Sequence, residues 1–328
     1  MGEETAPRCL AKWPVLMIVS AAESTAPAPE QLVPVVSVIM SMRNSSGTVE
    51  AAIRSILFQT FQEWELIVID DGSSDDGVDI VRAFEDSRIR LVCEPMSKGL
   101  AGRLNQAVGL SRGEFIARMD SDDVCFPERL ARQIESLRND PSVDVVGCSA
   151  VVFDGDNNLI GLLPVETEHT KIVRRPYVGF PLPHPTWCGR ASWFRNNPYD
   201  PLMLKAEDQD LLLRAYRHSR LGALDDVLLG YRQNYLDLKK ILPGRAASIR
   251  AIWRDGLRYS DKFSAVRAIM MQHVKSAIDI VTVSCGLGGY MQALRLRPVP
   301  EPIAQQWQDL AKQVSVLSTC EYRVGNEA

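Results

Sequence analysis

Glu65-Leu66-Ile67-Val68-Ile69-Asp70-Asp71-Gly72-Ser73-Ser74-Asp75-Asp76 decides the fold. Glu65–Ile69 is a strand-length apolar run that breaks off in a polar turn. A run apolar on both faces suits a strand covered by helices above and below. Working outward, Val35–Met40 is a similar run upstream, and a loop through Arg43–Gly47 leads to Val49, Ala52, Ile53, Ile56 and Leu57 at helical spacing. Glu50 falls in that helix's favourable first turn. Downstream, Val78–Phe84 predicts a helix and Arg88–Val92 a third strand; Leu100, Leu104, Ala107 and Val108 mark another helix that Gly113 stops, and Glu114–Arg118 is a fourth strand. The order βαβαβαβ predicts a mostly parallel sheet flanked by helices, with right-handed crossovers. Such sheets bind ligands outside the carboxyl ends of their strands. Asp70–Asp71 and Asp120–Asp123 stand at two of those ends.

Asp120-Ser121-Asp122-Asp123 places three carboxylates within four residues. They repel one another unless a cation or solvent intervenes. Oxygen donors favour Mg²⁺ or Mn²⁺ over zinc, and such a metal could grip a diphosphate. In an extended segment alternate residues point the same way, so a turn must bring Asp120 and Asp122 onto one ion. The plainer alternative is a solvated loop, with Asp123 capping a helix that starts near Pro127. At Asp70-Asp71-Gly72-Ser73 an aspartate could accept a uracil N3–H while Gly72 lets the backbone approach a ribose; a simple tight turn has the same composition. Ala206-Glu207-Asp208-Gln209-Asp210 precedes Leu211, Leu212, Ala215 and Tyr216 at helical spacing. A carboxylate there could take a proton from an attacking hydroxyl, with its pKa kept low by the helix N-terminus. Capping by Glu207 or Asp210 is the alternative.

The chain of 328 residues, 46% hydrophobic, can bury one large core plus an accessory segment, and its net charge of −4 excludes a global basic field for nucleic acid. Seven scattered cysteines (Cys9, Cys93, Cys125, Cys148, Cys188, Cys285 and Cys320) form no C-x-x-C pair, which argues against disulfides and structural zinc and for a reduced, cytoplasmic setting. The apolar runs Trp13–Ala22 and Ile280–Leu294 are short for a bilayer span. Residues 1–34 read as a flexible Ala/Pro-rich tail, 35–235 as a catalytic domain and 236–328 as a helical accessory region.

Together the segments resemble the family 2 glycosyltransferases of GT-A fold, bacterial surface-polysaccharide members above all. The resemblance runs from Val36 to Asn234. It is carried by V-S-V-I-M with R-N and Glu50, S-I-L-F-Q-T-F, E-L-I-V-I-D-D-G-S-S-D, K-G-L-A-G-R-L-N, G-E-F-I-A-R-M-D-S-D-D, P-E-R-L-A-R-Q, V-D-V-V-G, L-P-H-P-T, A-E-D-Q-D-L-L-L-R and G-Y-R. It implies a nucleotide diphosphate sugar as donor, an acceptor hydroxyl on a lipid-linked or growing glycan, and Mn²⁺ or Mg²⁺ as cofactor. By the same resemblance Asp70 or Asp71 holds the uracil, with Ser41 and Asn44 near the nucleotide. Lys98, Gly99 and Asn105 line its pocket, joined by Arg103. Asp120 and Asp122 hold the metal and diphosphate, Asp208 of the Glu207–Asp208 pair is the base of an inverting transfer, and Arg232 closes the domain. His184 corresponds to a histidine near acceptor or diphosphate, although between Pro183 and Pro185 it could equally brace a loop. The chain departs from the family at Ser41-Met42-Arg43, where proline, a small residue and often an aromatic are usual. It lacks the Q-x-x-R-W of processive synthases, which implies transfer of one sugar. A sugar-nucleotide pyrophosphorylase would need a Gly-rich basic loop after the first strand, and a merely binding module would need neither metal pair nor base. No G-x-G-x-x-G marks a dinucleotide fold.

Beyond Gln233, Arg245, Arg250, Arg254, Arg258, Lys262 and Arg267 outnumber Asp255 and Asp261, while Ile249, Ile252 and Trp253 share helical spacing. An apolar face beside a basic one suits peripheral contact with an anionic membrane. The alternative is packing on the catalytic domain.

Overall fold

A computed structural model describes residues 33–233, 237–289, 294 and 296–324. The expected tail lies outside the described residues as far as residue 32. Four strands, β1 (Val36–Met42), β2 (Trp64–Asp70), β3 (Ile89–Cys93) and β4 (Phe115–Asp120), run parallel in the order β3-β2-β1-β4. Helices α1 (Val49–Leu57), α2 (Gly77–Arg82) and α3 (Gly99–Leu110) connect them. Each strand outruns its apolar stretch by one or two residues at the carboxyl end. Backbone pairing continues into polar residues, so Ser41 of β1 lies in register with Ile69 and Asp120, and Met42 with Asp70. The acids therefore occupy fixed positions at the ends of hydrogen-bonded strands.

Alternation along β1 and β2 divides the core. Val36, Val38, Met40, Leu66 and Val68 pack with Ala52, Ile53 and Ile56 of α1. Ile39, Ile67 and Ile69 face the other way, onto Ala101, Leu104, Ala107 and Val108 of α3. Each fully buried aliphatic side chain contributes roughly 1.5–3 kcal/mol.

Past β4 the sheet becomes mixed. β5 (Val124–Cys125), α4 (Arg129–Asn139), β6 (Val145–Phe153), β7 (Leu159–Leu163), α5 (His169–Ile172), β8 (Cys188–Arg190), α6 (Ala191–Asn196), α7 (Glu207–Ala215) and β9 (Leu221–Arg232) follow in that order. β8 pairs antiparallel with β4 and β6, β9 parallel with β6, and β5 antiparallel with β9. The helix after Pro127 begins at Arg129, and three buried polar side chains of this region act as brackets. Arg129 donates to the carbonyls of Arg118 (2.7 Å) and Pro185 (2.9 Å). Gln133 donates to the Thr186 carbonyl (2.7 Å), and Gln59 to that of Phe126 (2.8 Å). Leaving a buried amide or guanidinium group unpaired costs stability, and these pairings avoid that cost. The effect is to fasten the end of β4 to the 183–187 loop.

Three long helices follow among the described residues: α8 (Leu238–Arg258), α9 (Lys262–Ser284) and α10 (Glu301–Val324). Trp307 of α10 lies against β9, where a Cβ on Gly230 would come within 2.1 Å of its ring, so only glycine fits there. Its ring sits 4.4 Å from that of Phe153, and its Nε1 donates to the Asn157 carbonyl at 3.0 Å. α8 packs through Ala247, Ala251 and Ile252 on Leu213 of α7 and on Met203. The basic residues expected to form an outer face divide on inspection. Arg254 pairs with Asp200 and Asp210, and Arg245 pairs with Asp279 and donates to Gln272. Two of the six cations thus bind protein carboxylates. No described helix is long and apolar enough to cross a membrane.

Candidate active site

The turn after β2 is closed by its own donors. Gly72 takes a left-handed φ of 75°, which a side chain would strain. Asp70 accepts from the Ser73 amide (3.2 Å) and hydroxyl (2.5 Å). Asp71 accepts from Ser97 Oγ (2.5 Å), the amides of Lys98 (2.7 Å) and Gly99 (3.0 Å), and Arg103 Nε (2.6 Å). It therefore caps α3 and forms an ion pair with a fully buried guanidinium. Burial would raise the Asp71 carboxyl, but these hydrogen bonds outweigh it and hold the group below its ordinary value. Asn44, left-handed at φ 53°, ties the loop after β1 to this turn: its amide donates to Ser73 Oγ (2.9 Å), and its Oδ1 accepts from the Ser74 amide (2.8 Å). Lys98 is exposed beside the turn. The Asn105 side chain is engaged within the protein. Its amide accepts from Tyr199 N (2.9 Å) and donates to Tyr199 O (2.8 Å), so both ends of the side chain are taken by one residue's backbone.

The turn after β4 is the opposite. Asp120, Asp122 and Asp123 each present a carboxylate oxygen within 4.8 Å of the others. The turn brings Asp120 and Asp122 together as expected, and Asp123 joins them. Asp123 is not the helix cap that its position suggested: it is fully buried, Oδ1 accepts from the Arg232 amide (2.8 Å), and Oδ2 has no partner. Burial and the charges of Asp120 and Asp122 raise Asp123 well above the ordinary carboxylate range. Asp122 is exposed as a residue, yet its carboxyl is crowded. Desolvation and then Asp120 push it up to about 6, against the pull of Arg118 and Arg232. An all-oxygen set with one orphaned buried oxygen fits a hard divalent cation. Arg232 braces this turn from outside. Its guanidinium donates to the Asp122 carbonyl (2.9 Å) and reaches the carbonyls of Asp154 and Gly155 (3.3 and 3.4 Å). Ser45 and Ser121, 2.9 Å apart, join the loops after β1 and β4, and Ser41 pairs in register with Asp120 at the end of β1.

Two acids of α7, Glu207 and Asp208, come within electrostatic reach of the same turn. Ala206, left-handed at φ 56°, turns the chain into α7. Neither Glu207 nor Asp210 caps the helix; Asp210 pairs with Arg214 and Arg254. Asp208 is within electrostatic reach of Arg118 and Asp120. Its pKa is raised, contrary to the low value expected at a helix N-terminus, because burial outweighs the Gln209 amide and Arg118. Burial and then Asp208 raise Glu207 as well. His184 is buried; its Nε2 lies 2.8 Å from Tyr199 Oη and its Nδ1 3.9 Å from Glu207. Its ring meets Trp187 edge-on at 4.7 Å. Burial, then the Arg118 charge, hold it well below its ordinary pKa, so it is neutral. It both braces the loop and borders the acids.

Two groups escaped the sequence reading. Tyr199 links Asn105 to His184. Arg118, buried in β4, reaches Asp120 Oδ1 with Nη2 at 2.5 Å. A lone cation inside the apolar run Phe115–Met119 was the available signal.

The profile of Glycosyl transferase family 2 matches residues 37–197. The putative glycosyltransferase EpsE of Bacillus subtilis is 35% identical over 197 residues, 58% of this chain and 69% of its own. The Escherichia coli UDP-Glc:alpha-D-GlcNAc-diphosphoundecaprenol beta-1,3-glucosyltransferase WfgD is 35% identical over 194 residues, covering 58% and 73%. Among solved structures, S. aureus TarS 1-349 in complex with UDP superposes with a TM-score of 0.55 at 21% identity, over 73% of this chain and 72% of its own. Mannosyltransferase PcManGT from Pyrobaculum calidifontis, in complex with GDP-Man and Mn²⁺, gives 0.53 at 16% identity over 90% of each chain. These matches agree with the sheet order and with the acids at its strand ends: the chain belongs to glycosyltransferase family 2 and has the GT-A fold.

Proposed function

We propose that this enzyme transfers a single sugar, with inversion, from a UDP-sugar to an acceptor hydroxyl. The observation that carries this reading is the convergence of Asp120, Asp122 and Asp123 at the end of β4, with Asp208 in electrostatic reach of the same cleft. Asp120 and Asp122, with Asp123 behind them, would hold Mn²⁺ or Mg²⁺, which supplies positive charge to the departing diphosphate. Among the described residues the Asp70 carboxylate hydrogen-bonds only to Ser73 and keeps acceptor capacity for a base N–H, while Asp71 and Arg103 shape the pocket beside Lys98 and Gly99. Asp208 takes the acceptor proton as the hydroxyl attacks the anomeric carbon opposite the leaving group. Its raised pKa makes it a better base than a free aspartate. Asp208→Asn is expected to bind UDP normally and transfer sugar at least roughly a hundredfold more slowly. Near-wild-type turnover, measured as Mn²⁺-dependent UDP release with acceptor, would remove Asp208 from this role.

We assign residues 35–235 to catalysis and 236–328 to an accessory helical region working at the inner face of the cytoplasmic membrane. WfgD is named for a diphosphoundecaprenol acceptor, which supports a lipid-linked glycan here. On α9, Phe263, Val266, Met270, Val274 and Val281 are exposed at helical spacing beside exposed Lys262 and Arg267, and the helix's one carboxylate, Asp279, is buried under Arg245. An apolar stripe flanked by cations and free of exposed acid suits an anionic bilayer. The full chain should co-sediment with anionic vesicles, and Phe263→Ser with Met270→Ser should abolish this. Equal binding by that double variant, or self-association through the stripe, would refute the assignment.

A further inference from the structure

Arg118 has no part in the proposed transfer, yet its charge reaches both acid groups. Its side chain is 3% exposed. Its charge acts on Asp120, Asp123 and Glu207 and reaches Asp122, Asp208 and His184. Only Nη2 has a partner, Asp120 Oδ1; Nε and Nη1 are buried without one. The second guanidinium nearby, Arg232, is directed to backbone carbonyls and to Asn157. Among the described residues, Arg118 is thus the one cation that forms an ion pair within the Asp120–Asp123 cluster.

A guanidinium does not give up its proton in a protein. A divalent cation approaching Asp120 must therefore share that carboxylate with a fixed positive charge or displace it. Meanwhile Arg118 already offsets part of the negative charge that would attract the cation. A diphosphate reverses the balance, because its oxygens bring the missing negative charge and complete the coordination.

We propose that Arg118 is the resident counter-ion of Asp120: it weakens the site's hold on free divalent cation, so that metal and nucleotide bind together rather than singly. This rests on reading Asp120 and Asp122 as metal ligands. Linkage requires the coupling to be reciprocal, so whatever factor UDP adds to metal affinity, metal adds to UDP affinity.

The test is calorimetric titration of Mn²⁺ into wild type and Arg118→Met, each with and without UDP. Arg118→Met should bind Mn²⁺ alone roughly tenfold more tightly than wild type, with the enhancement by UDP reduced by a similar factor. Arg118→Lys, which keeps the charge, should stay near wild type. Equal or weaker Mn²⁺ binding by folded Arg118→Met without UDP overturns the proposal. If that variant does not fold, wild type still decides: Mg²⁺ saturation should shift the Arg118 side-chain Nε–H resonance, assigned by its loss in Arg118→Lys, and an unmoved resonance overturns it. Absence of Mn²⁺ binding by wild type even with UDP would instead sink the metal-site reading itself.

Discussion

The Asp70–Asp71 turn ending β2 and the Asp120–Asp123 turn ending β4 flank β1 on either side, and their carboxylates meet opposite surroundings. Asp71 has four donors on its two oxygens, one of them a buried guanidinium. Asp123 has one donor, and its other oxygen has none. The first group is held below its ordinary pKa, while Asp122 and Asp123 are held above theirs. Two aspartate-rich turns of similar composition thus do different work. A carboxylate saturated by protein donors anchors a loop. A crowded cluster short of donors has a standing demand for positive charge.

Substitutions that remove one charge from each turn sharpen this contrast. Asp71→Ala removes four hydrogen bonds and leaves buried Arg103 with Glu94 as its remaining carboxylate partner, and it should cost about 3 kcal/mol of stability in denaturant unfolding. Asp70→Ala, which loses bonds to one serine, should cost nearer 1 kcal/mol. Equal losses would break the distinction between the turns. Asp122→Asn should slow sugar transfer on the order of a hundredfold, since the metal's charge on the leaving group is worth several kcal/mol. The metal-free variant should melt no lower than wild type, because the substitution relieves repulsion. A marked drop in its melting temperature would mean that the second turn, too, is structural.

The smallest effect is on pH. Asp122 titrates at about 6 in the folded protein, above the ordinary aspartate value. Folding therefore favours its protonated form, and without metal its contribution to stability declines as pH rises from the unfolded value toward 6. Metal binding needs the carboxylate, so Mn²⁺ affinity should fall up to about tenfold for each pH unit below that point. A Mn²⁺-induced thermal shift constant between pH 5 and 7 would contradict this.

Much of this was legible in the chain. The four parallel strands and their helices follow from apolar runs and helical spacing, and the pairing of Asp120 with Asp122 follows from their placement at a strand end. What the chain left open was set by contacts across long separations. The sequence shows Arg245 and Arg254 as part of a basic face, but their partners, Asp279 and Asp210, lie 34 and 44 residues away, and the pairing ties both to protein carboxylates. Asn105 stands in a pocket-lining segment, yet its partner is Tyr199, 94 residues on. Asp208 opens a helix as expected, but burial by distant segments overrides the local amide field.

Periodicity, turn composition and the train of motifs were enough for the family, the sheet and the list of acids, because backbone geometry and side-chain alternation are set by near neighbours. Which acids are saturated, which are crowded, and where Arg118 sits among them depended on contacts between segments far apart in the chain. Charge and desolvation act through space, and a linear pattern carries no distances.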